Sequence, residues 1–180
     1  MDVPLTNVIG TIALIGLVIT SALAYSIVTS YIETNVLKQQ LNQIAEYVAL
    51  NLVEIVNLVN FANFLNNGTM MKILKLPSDL PYLVKLVNET HSGRGYYVQT
   101  QLVERSDITG SALIPSNATE TGTIFVIDSS GTLNIVKGDA GSIRYCNTVY
   151  SGAQNIVVWG WKKADNTTWA GIGSYTHVGG

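Results

Sequence analysis

Charged side chains are scarce in this 180-residue chain: Asp, Glu, Lys and Arg make up 12% of it, whereas hydrophobic residues make up 47%. Because a soluble domain carries about 25% charged residues, this composition argues against an ordinary water-soluble monomer. The high apolar content also excludes intrinsic disorder. The formal net charge of −2 provides no basic surface for nucleic acid, so we expect no nucleic-acid partner.

Cysteine and histidine are also rare. The single cysteine, Cys146, excludes an internal disulfide framework and a cysteine-rich zinc site. We interpret it as a small buried apolar residue, with an intersubunit disulfide as the alternative. The two histidines, His91 and His177, have no cysteine or carboxylate at ligand spacing, and the sequence contains no P-loop, dinucleotide fingerprint or nucleophile elbow. We therefore predict no catalytic, metal-binding or cofactor-binding residues and no enzyme.

A long uncharged run lies near the N-terminus. No charged residue occurs between Asp2 and Glu33, and residues 8–32 are almost entirely apolar. As a helix, this run is about 38 Å long, enough to cross the hydrocarbon core of a bilayer. Small residues such as Gly10, Ala13 and Gly16 recur in it at helical spacing. They allow neighbouring helices to approach closely where no water drives association.

The helical pattern continues beyond this run. Apolar residues recur every three or four positions, which indicates one face of an amphipathic helix: Leu37, Leu41, Ile44, Val48, Leu52, Ile55 and Val59. Neither glycine nor proline occurs from residue 17 to residue 67, and Asn66-Asn67-Gly68 is a suitable C-terminal signal. The sequence therefore predicts one continuous helix over residues 5–66, longer than about 80 Å.

The remainder of the chain has the pattern of short strands separated by turns. Residues 128–131 and 164–166 are predicted hairpin turns. The predicted strands are 96–103, 123–127, 132–137, 143–150, 155–161 and 167–175, and residues 82–87 form a strand or a short helix. We thus predict an α+β fold in which a very long N-terminal helix (domain 1–66) precedes a β-rich head (domain 67–180), built as an antiparallel β-sandwich.

Such a head cannot cover its own helix. A head of about 115 residues is roughly 35 Å across, so it covers about half of the predicted helix. Leaving the N-terminal half in water would forfeit roughly 20–40 kcal/mol of burial free energy, more than the net stability of about 5–15 kcal/mol of a whole domain. This half must lie in lipid or against other protein. The residues predicted to pack in a filament core are Val8, Ile9, Gly10, Ile12, Ala13, Ile15, Gly16, Ile19, Leu23 and Ile27.

Two segments of the helix carry a family resemblance. Residues 7–28, NVIGTIALIGLVITSALAYSIV, resemble the N-terminal segment of archaeal type IV pilins and the related archaellins, and residues 33–48, ETNVLKQQLNQIAEYV, resemble the amphipathic part of the same helix. The resemblance implies a homopolymeric surface filament with a helical core and a shell of β-rich heads. It also implies subunits held first in the membrane, cleaved by a signal peptidase and assembled by an ATPase and a membrane platform. No Lys or Arg precedes the run, so we expect Met1 to lie near the mature N-terminus.

Four N-glycosylation sequons lie at or beyond the predicted helix end, at Asn67, Asn88, Asn117 and Asn166, whereas none of the eight earlier asparagines is in a sequon. This distribution predicts N-linked glycans on the exterior of the head. We interpret the tryptophans, Trp159, Trp161 and Trp169, as core or cross-strand aromatics rather than a sugar-binding platform.

Three functions remain open. The first is a structural subunit of an extracellular archaeal type IV pilus that serves adhesion and cell-cell contact, with an archaellum subunit as a narrower variant. The second is a single-span surface receptor or sensor, because residues 122–133 resemble a strand-turn-strand of Cache or PAS-like sensory domains. The third is a pilin-like accessory protein that anchors a filament without polymerising.

Overall fold

The computed structural model describes residues 5–61, 68–89, 95–115, 122–127, 130–135, 141–153 and 155–177. It confirms the α+β fold class, with one long helix followed by a β-rich head. The elements of the described residues are α1 (Leu5–Phe61), β1 (Thr69–Ile73), β2 (Tyr82–Glu89), β3 (Gly95–Leu102), β4 (Thr109–Leu113), β5 (Thr123–Phe125), β6 (Gly131–Ile135), β7 (Gly141–Tyr145), β8 (Thr148–Tyr150), β9 (Ile156–Lys162) and β10 (Thr168–His177).

Helix α1 is continuous over 57 residues, as the absence of glycine and proline after residue 16 predicts. The predicted helix end at residues 62–66 lies outside the described residues. The chain divides into two compact units, Met1–Leu37 and Lys38–Gly180. The first unit contains the N-terminal part of α1, and the second contains the rest of α1 together with all the strands.

The strands form two sheets. The first has the order β1-β9-β10-β7-β6, with β5 added in parallel to β10, and the second has the order β4-β3-β2-β8. Strands β7 and β8 follow each other in the chain but belong to different sheets, because the chain turns a corner at Cys146 and Asn147. The single strand predicted over residues 143–150 is therefore two strands.

One end of the second unit's helix lies against the second sheet. The Thr100 hydroxyl on β3 donates a hydrogen bond to the Leu41 carbonyl (2.9 Å), and the Ser111 amide on β4 donates to Asn42 Oδ1 (3.0 Å). Between them, Gly110 leaves the space in which the helix backbone lies, since a Cβ at that position would be 2.5 Å from the Asn42 nitrogen. The close approach of helix and strand depends on this glycine.

The other end of the same helix lies against the first sheet. A Cβ at Gly160 on β9 would be 2.9 Å from the side chains of both Ile55 and Val59. On β10, the Thr168 hydroxyl donates to Asn60 Oδ1 (2.5 Å) and is buried. The amphipathic part of α1 is thus held to both sheets of the head.

A second hydrophobic cluster occupies the opposite face of the first sheet. Trp159 is 1% exposed, and its indole donates to the Ile172 carbonyl (3.1 Å). Gly171 lies opposite Trp159 and makes room for its ring. Trp161 and Trp169 pair across β9 and β10 with ring centroids 6.3 Å apart. The interpretation of the tryptophans as core and cross-strand aromatics is confirmed.

One predicted hairpin turn is confirmed, and other local predictions differ from the structure. The segment 164–166 forms the predicted hairpin turn between β9 and β10, in which Asn166 has a φ of 69°. Residues 128 and 129 of the other predicted hairpin turn lie outside the described residues, and the described strands on either side pair elsewhere, β5 with β10 and β6 with β7. Residues 82–87 belong to a strand, β2. Strands β1 and β4 were not predicted.

Candidate functional site

The candidate site is the apolar segment, which we define as residues 8–36 of α1. Its large hydrophobic side chains are between 47% and 75% exposed: Val8, Ile9, Ile12, Leu14, Ile15, Leu17, Val18, Ile19, Leu23, Tyr25, Ile27, Val28, Tyr31, Ile32 and Val36. Every filament-core residue predicted from the sequence lies in this exposed segment, and a Cβ at Gly10 or Gly16 would meet no atom within 4 Å. The chain itself therefore leaves these side chains uncovered.

The apolar segment is hydrophobic on every side. Leu17, Val18 and Ile19 are consecutive and 69%, 55% and 54% exposed. Because consecutive residues of a helix point about 100° apart, three such neighbours cannot share one face. A helix that is apolar all round needs apolar surroundings all round, and a single partner on one side does not provide them.

Four hydroxyl side chains of the apolar segment are bonded within the helix. Thr20, Ser21, Thr29 and Thr34 each donate to a backbone carbonyl three or four residues earlier, at 2.6, 2.9, 2.9 and 2.8 Å. An unbonded hydroxyl is costly in an apolar medium, and this internal bonding removes that cost. These residues are therefore compatible with a dry environment.

Length and composition agree with such an environment. Helix α1 is long and apolar enough to cross a membrane, and none of its qualifying apolar window is buried within the chain. The core helix of a soluble protein can have the same composition, but its own chain would cover it. The segment is therefore an uncovered apolar helix that is weakly compatible with membrane insertion.

The amphipathic face has a different position. Most of its residues are at most 3% exposed, because the chain's own head covers them: Leu41, Val48, Leu52, Ile55 and Val59. Ile44 is half-buried, and so is Leu37, which belongs to the first compact unit. Within the second unit this face is occupied by the head and is not free to contact another copy.

A row of exposed apolar residues lies on the opposite side of the same helix and is not among the residues predicted from the sequence; we name it the outward row. It consists of Tyr47, Leu50, Leu58 and Phe61, which are 41%, 67%, 47% and 89% exposed. Their spacing is also helical, but Gln, Asn and Glu residues between them give that side a polar average. A search for a second apolar row would have found them.

Two of the four sequon asparagines lie among the described residues. Asn88 on β2 and Asn166 in the β9–β10 turn are exposed, whereas Asn67, Asn117 and His91 lie outside the described residues. Among the residues that the structure describes, no group of three or more His, Cys, Asp or Glu could hold a metal ion. Cys146 is half-buried, and burial raises the pKa of its thiol, which makes it less nucleophilic at neutral pH.

Comparison of the chain with known protein families, with curated proteins and with solved structures finds no match.

Proposed function

We propose that this chain is a structural subunit of an extracellular helical filament of the archaeal type IV pilus kind. The observation that carries the proposal is the apolar segment, whose large side chains are exposed on every side of the helix. In a filament, the apolar segments of many copies surround one another and the β-rich heads form the outer shell. Each side chain is then buried in a helical core.

The resemblance of residues 7–28 and 33–48 to pilins and archaellins supports the same arrangement. In this proposal the subunit is inserted in the cytoplasmic membrane before assembly, and a signal peptidase, an assembly ATPase and a membrane platform act on it. The filament serves adhesion and cell-cell contact. The head carries N-linked glycans at some or all of Asn67, Asn88, Asn117 and Asn166.

A filament explains the small residues of the apolar segment better than a single membrane anchor does. Gly10 and Gly16 have open space where a side chain would be. Lipid gives no advantage to glycine in a helix, where it costs about 1 kcal/mol relative to alanine. Closely packed neighbouring helices do give glycine an advantage, because small residues let the helix backbones approach one another.

The second candidate is a membrane-anchored surface receptor, for which the apolar segment is the span. In the motif that suggested a sensory domain, residues 122–133, the described strands pair elsewhere: β5 pairs with β10, and β6 pairs with β7, whereas residues 128 and 129 lie outside the described residues. The pairing of these two strands with other strands does not support a strand-turn-strand here. A non-polymerising anchor remains as an outcome of the experiment below.

The deciding experiment compares substitutions at Gly16. We expect Gly16→Lys to abolish filaments, because it places a charge in a closely packed apolar core. Gly16→Ala leaves the head unchanged, since its Cβ meets no atom of the chain, and we expect it to weaken assembly by separating helices. The measurement is electron microscopy of filaments sheared from the cell surface.

The control is Val103→Lys, which introduces the same charge at an exposed apolar residue of the head. It is expected to leave filaments intact. Normal filaments from Gly16→Lys would contradict close packing at this position. Wild-type chain recovered entirely in membrane vesicles, with no filaments, would favour the anchored receptor.

A further inference from the structure

A groove in the head adjoins the outward row at Leu50. It lies between α1 and β4, has a volume of about 450 Å³, and is lined mainly by apolar side chains, among them Ala49, Leu50, Leu113 and Pro115. Leu50 and Leu113 on its two walls are 67% and 62% exposed. The head therefore presents a second apolar surface, separate from the amphipathic face that it has already covered.

The groove and the outward row meet at one residue. Leu50 belongs to both, and along the helix the row from Tyr47 to Phe61 extends for about 21 Å at 1.5 Å per residue. The described charges beside it are few. Glu46 lies on the groove, and Glu54, within the row's span, is paired with Lys72 at 2.6 Å.

The charge pattern identifies the kind of partner. A charged peptide or an acidic surface would gain little here, because the lining offers one carboxylate and no described cation. The apolar segment of a second copy fits better. It has no charged residue from position 3 to position 32, four of its hydroxyls bond within the helix, and its side chains need cover on every side.

We propose that the groove and the outward row receive the apolar segment of a neighbouring copy of this chain. This inference rests on the proposed filament and specifies one of its contacts. Residues 8–36 of one copy then lie between the apolar segments of other copies on one side and the helix and β4 of a neighbouring head on the other. In this arrangement the head covers part of the filament core in addition to forming the outer shell.

The first test maps the contact directly. Filaments are assembled from a mixture of unlabelled chain carrying Leu50→p-benzoylphenylalanine and ¹⁵N-labelled wild-type chain, then irradiated and analysed by peptide mass spectrometry. The expected result is a cross-link between position 50 of the unlabelled chain and a labelled peptide from residues 8–36. Cross-links confined to head peptides, to one copy or to no peptide would overturn the inference.

The second test measures assembly. In Leu113→Glu, the carboxylate enters the groove and loses its hydration when a neighbour docks, so sedimentable filaments are expected to fall by at least about tenfold. The matched control, Val103→Glu, changes another exposed apolar residue of the head and is expected to keep wild-type yield. Equal yields from both variants would overturn the inference.

The two proposals fail in different ways. If wild-type chain forms no filaments, the proposed function and this contact fail together. If wild-type filaments form but position 50 cross-links elsewhere, or Leu113→Glu assembles normally, only this contact fails.

Discussion

At the scale of single residues, Gly110 shows how tightly the helix is fitted to the head. Its missing side chain leaves room for the backbone of α1, and a Cβ would lie 2.5 Å from both the Leu41 carbonyl carbon and the Asn42 nitrogen. Backbone atoms of a helix cannot turn aside as a flexible side chain can. A methyl group at position 110 would therefore have to separate β4 from the helix.

We expect Gly110→Ala to lower the free energy of unfolding by about 1–3 kcal/mol, the usual cost of overpacking. The chain is unfolded by denaturant in detergent, and tryptophan fluorescence is the signal that monitors unfolding. Gly152→Ala is the matched control, because a Cβ there would meet nothing within 4 Å. It should leave stability unchanged or slightly higher. Equal stability of the two variants would show that β4 is not closely packed on α1.

At the scale of elements, the β9–β10 hairpin links a sequon to the helix. Asn166 is exposed in the turn, but the sequon threonine, Thr168, is 1% exposed and donates its hydroxyl to Asn60. A glycosyltransferase that reads the N-x-S/T sequon needs access to both residues. The folded hairpin offers only the asparagine.

We therefore predict that Asn166 is glycosylated only before the hairpin packs against α1. An oligosaccharyltransferase should modify Asn166 in urea-unfolded chain diluted into the assay and leave it unmodified in folded chain, as measured by glycopeptide mass spectrometry. Thr168→Val removes the sequon and should abolish the modification in both samples. Equal modification of folded and unfolded wild-type chain would contradict the prediction.

The elements differ in how well sequence predicts them. Helix α1 and the strands around Val98, Trp159 and Ile172 follow strong apolar periodicity, so their existence is predictable. Strand β4 is not, because its residues Thr109–Leu113 are mostly small and it is held by contacts with α1. The parallel addition of β5 to β10 depends on residues more than 40 positions apart, and no local pattern encodes that pairing.

Part of the candidate site is also predictable from the sequence, and part is not. The exposed residues from Val8 to Ile32 follow from a charge-free run that the head is too small to cover. For the part of α1 in the second unit, the sequence does not show which apolar row is buried and which is exposed. Which row packs on the chain's own sheets and which faces outward depends on where Thr100, Gly110 and Gly160 lie in three dimensions.

At the scale of the whole molecule, the two compact units differ in the solvent exposure of their large apolar side chains. The second unit contains its own buried core, drawn from the helix and both sheets. In the first unit, the large apolar side chains from Val8 to Val36 are 47–75% exposed. The part of the sequence that forms a buried core and the part whose apolar side chains stay exposed are therefore different.

We predict that chain lacking residues 1–37 is a folded, soluble monomer without detergent, whereas the full chain polymerises or requires detergent. Size-exclusion chromatography with light scattering gives the mass, and circular dichroism shows whether helix and sheet are retained. Full-length chain that stayed monomeric in plain buffer would contradict the role of the apolar segment. Truncated chain that failed to fold would contradict the independence of the second unit.

The attachment of α1 to both sheets has a mechanical consequence. The hydrogen bond between Leu41 and Thr100 lies near one end of the head-bound helix, and the hydrogen bond between Asn60 and Thr168 lies near the other. The buried residues of the amphipathic face lie between them. Tension along the helix axis loads all of these contacts in shear, so they must yield together. A force that lifted one end would break them in succession. A head built this way withstands a stretching load better than a peeling one.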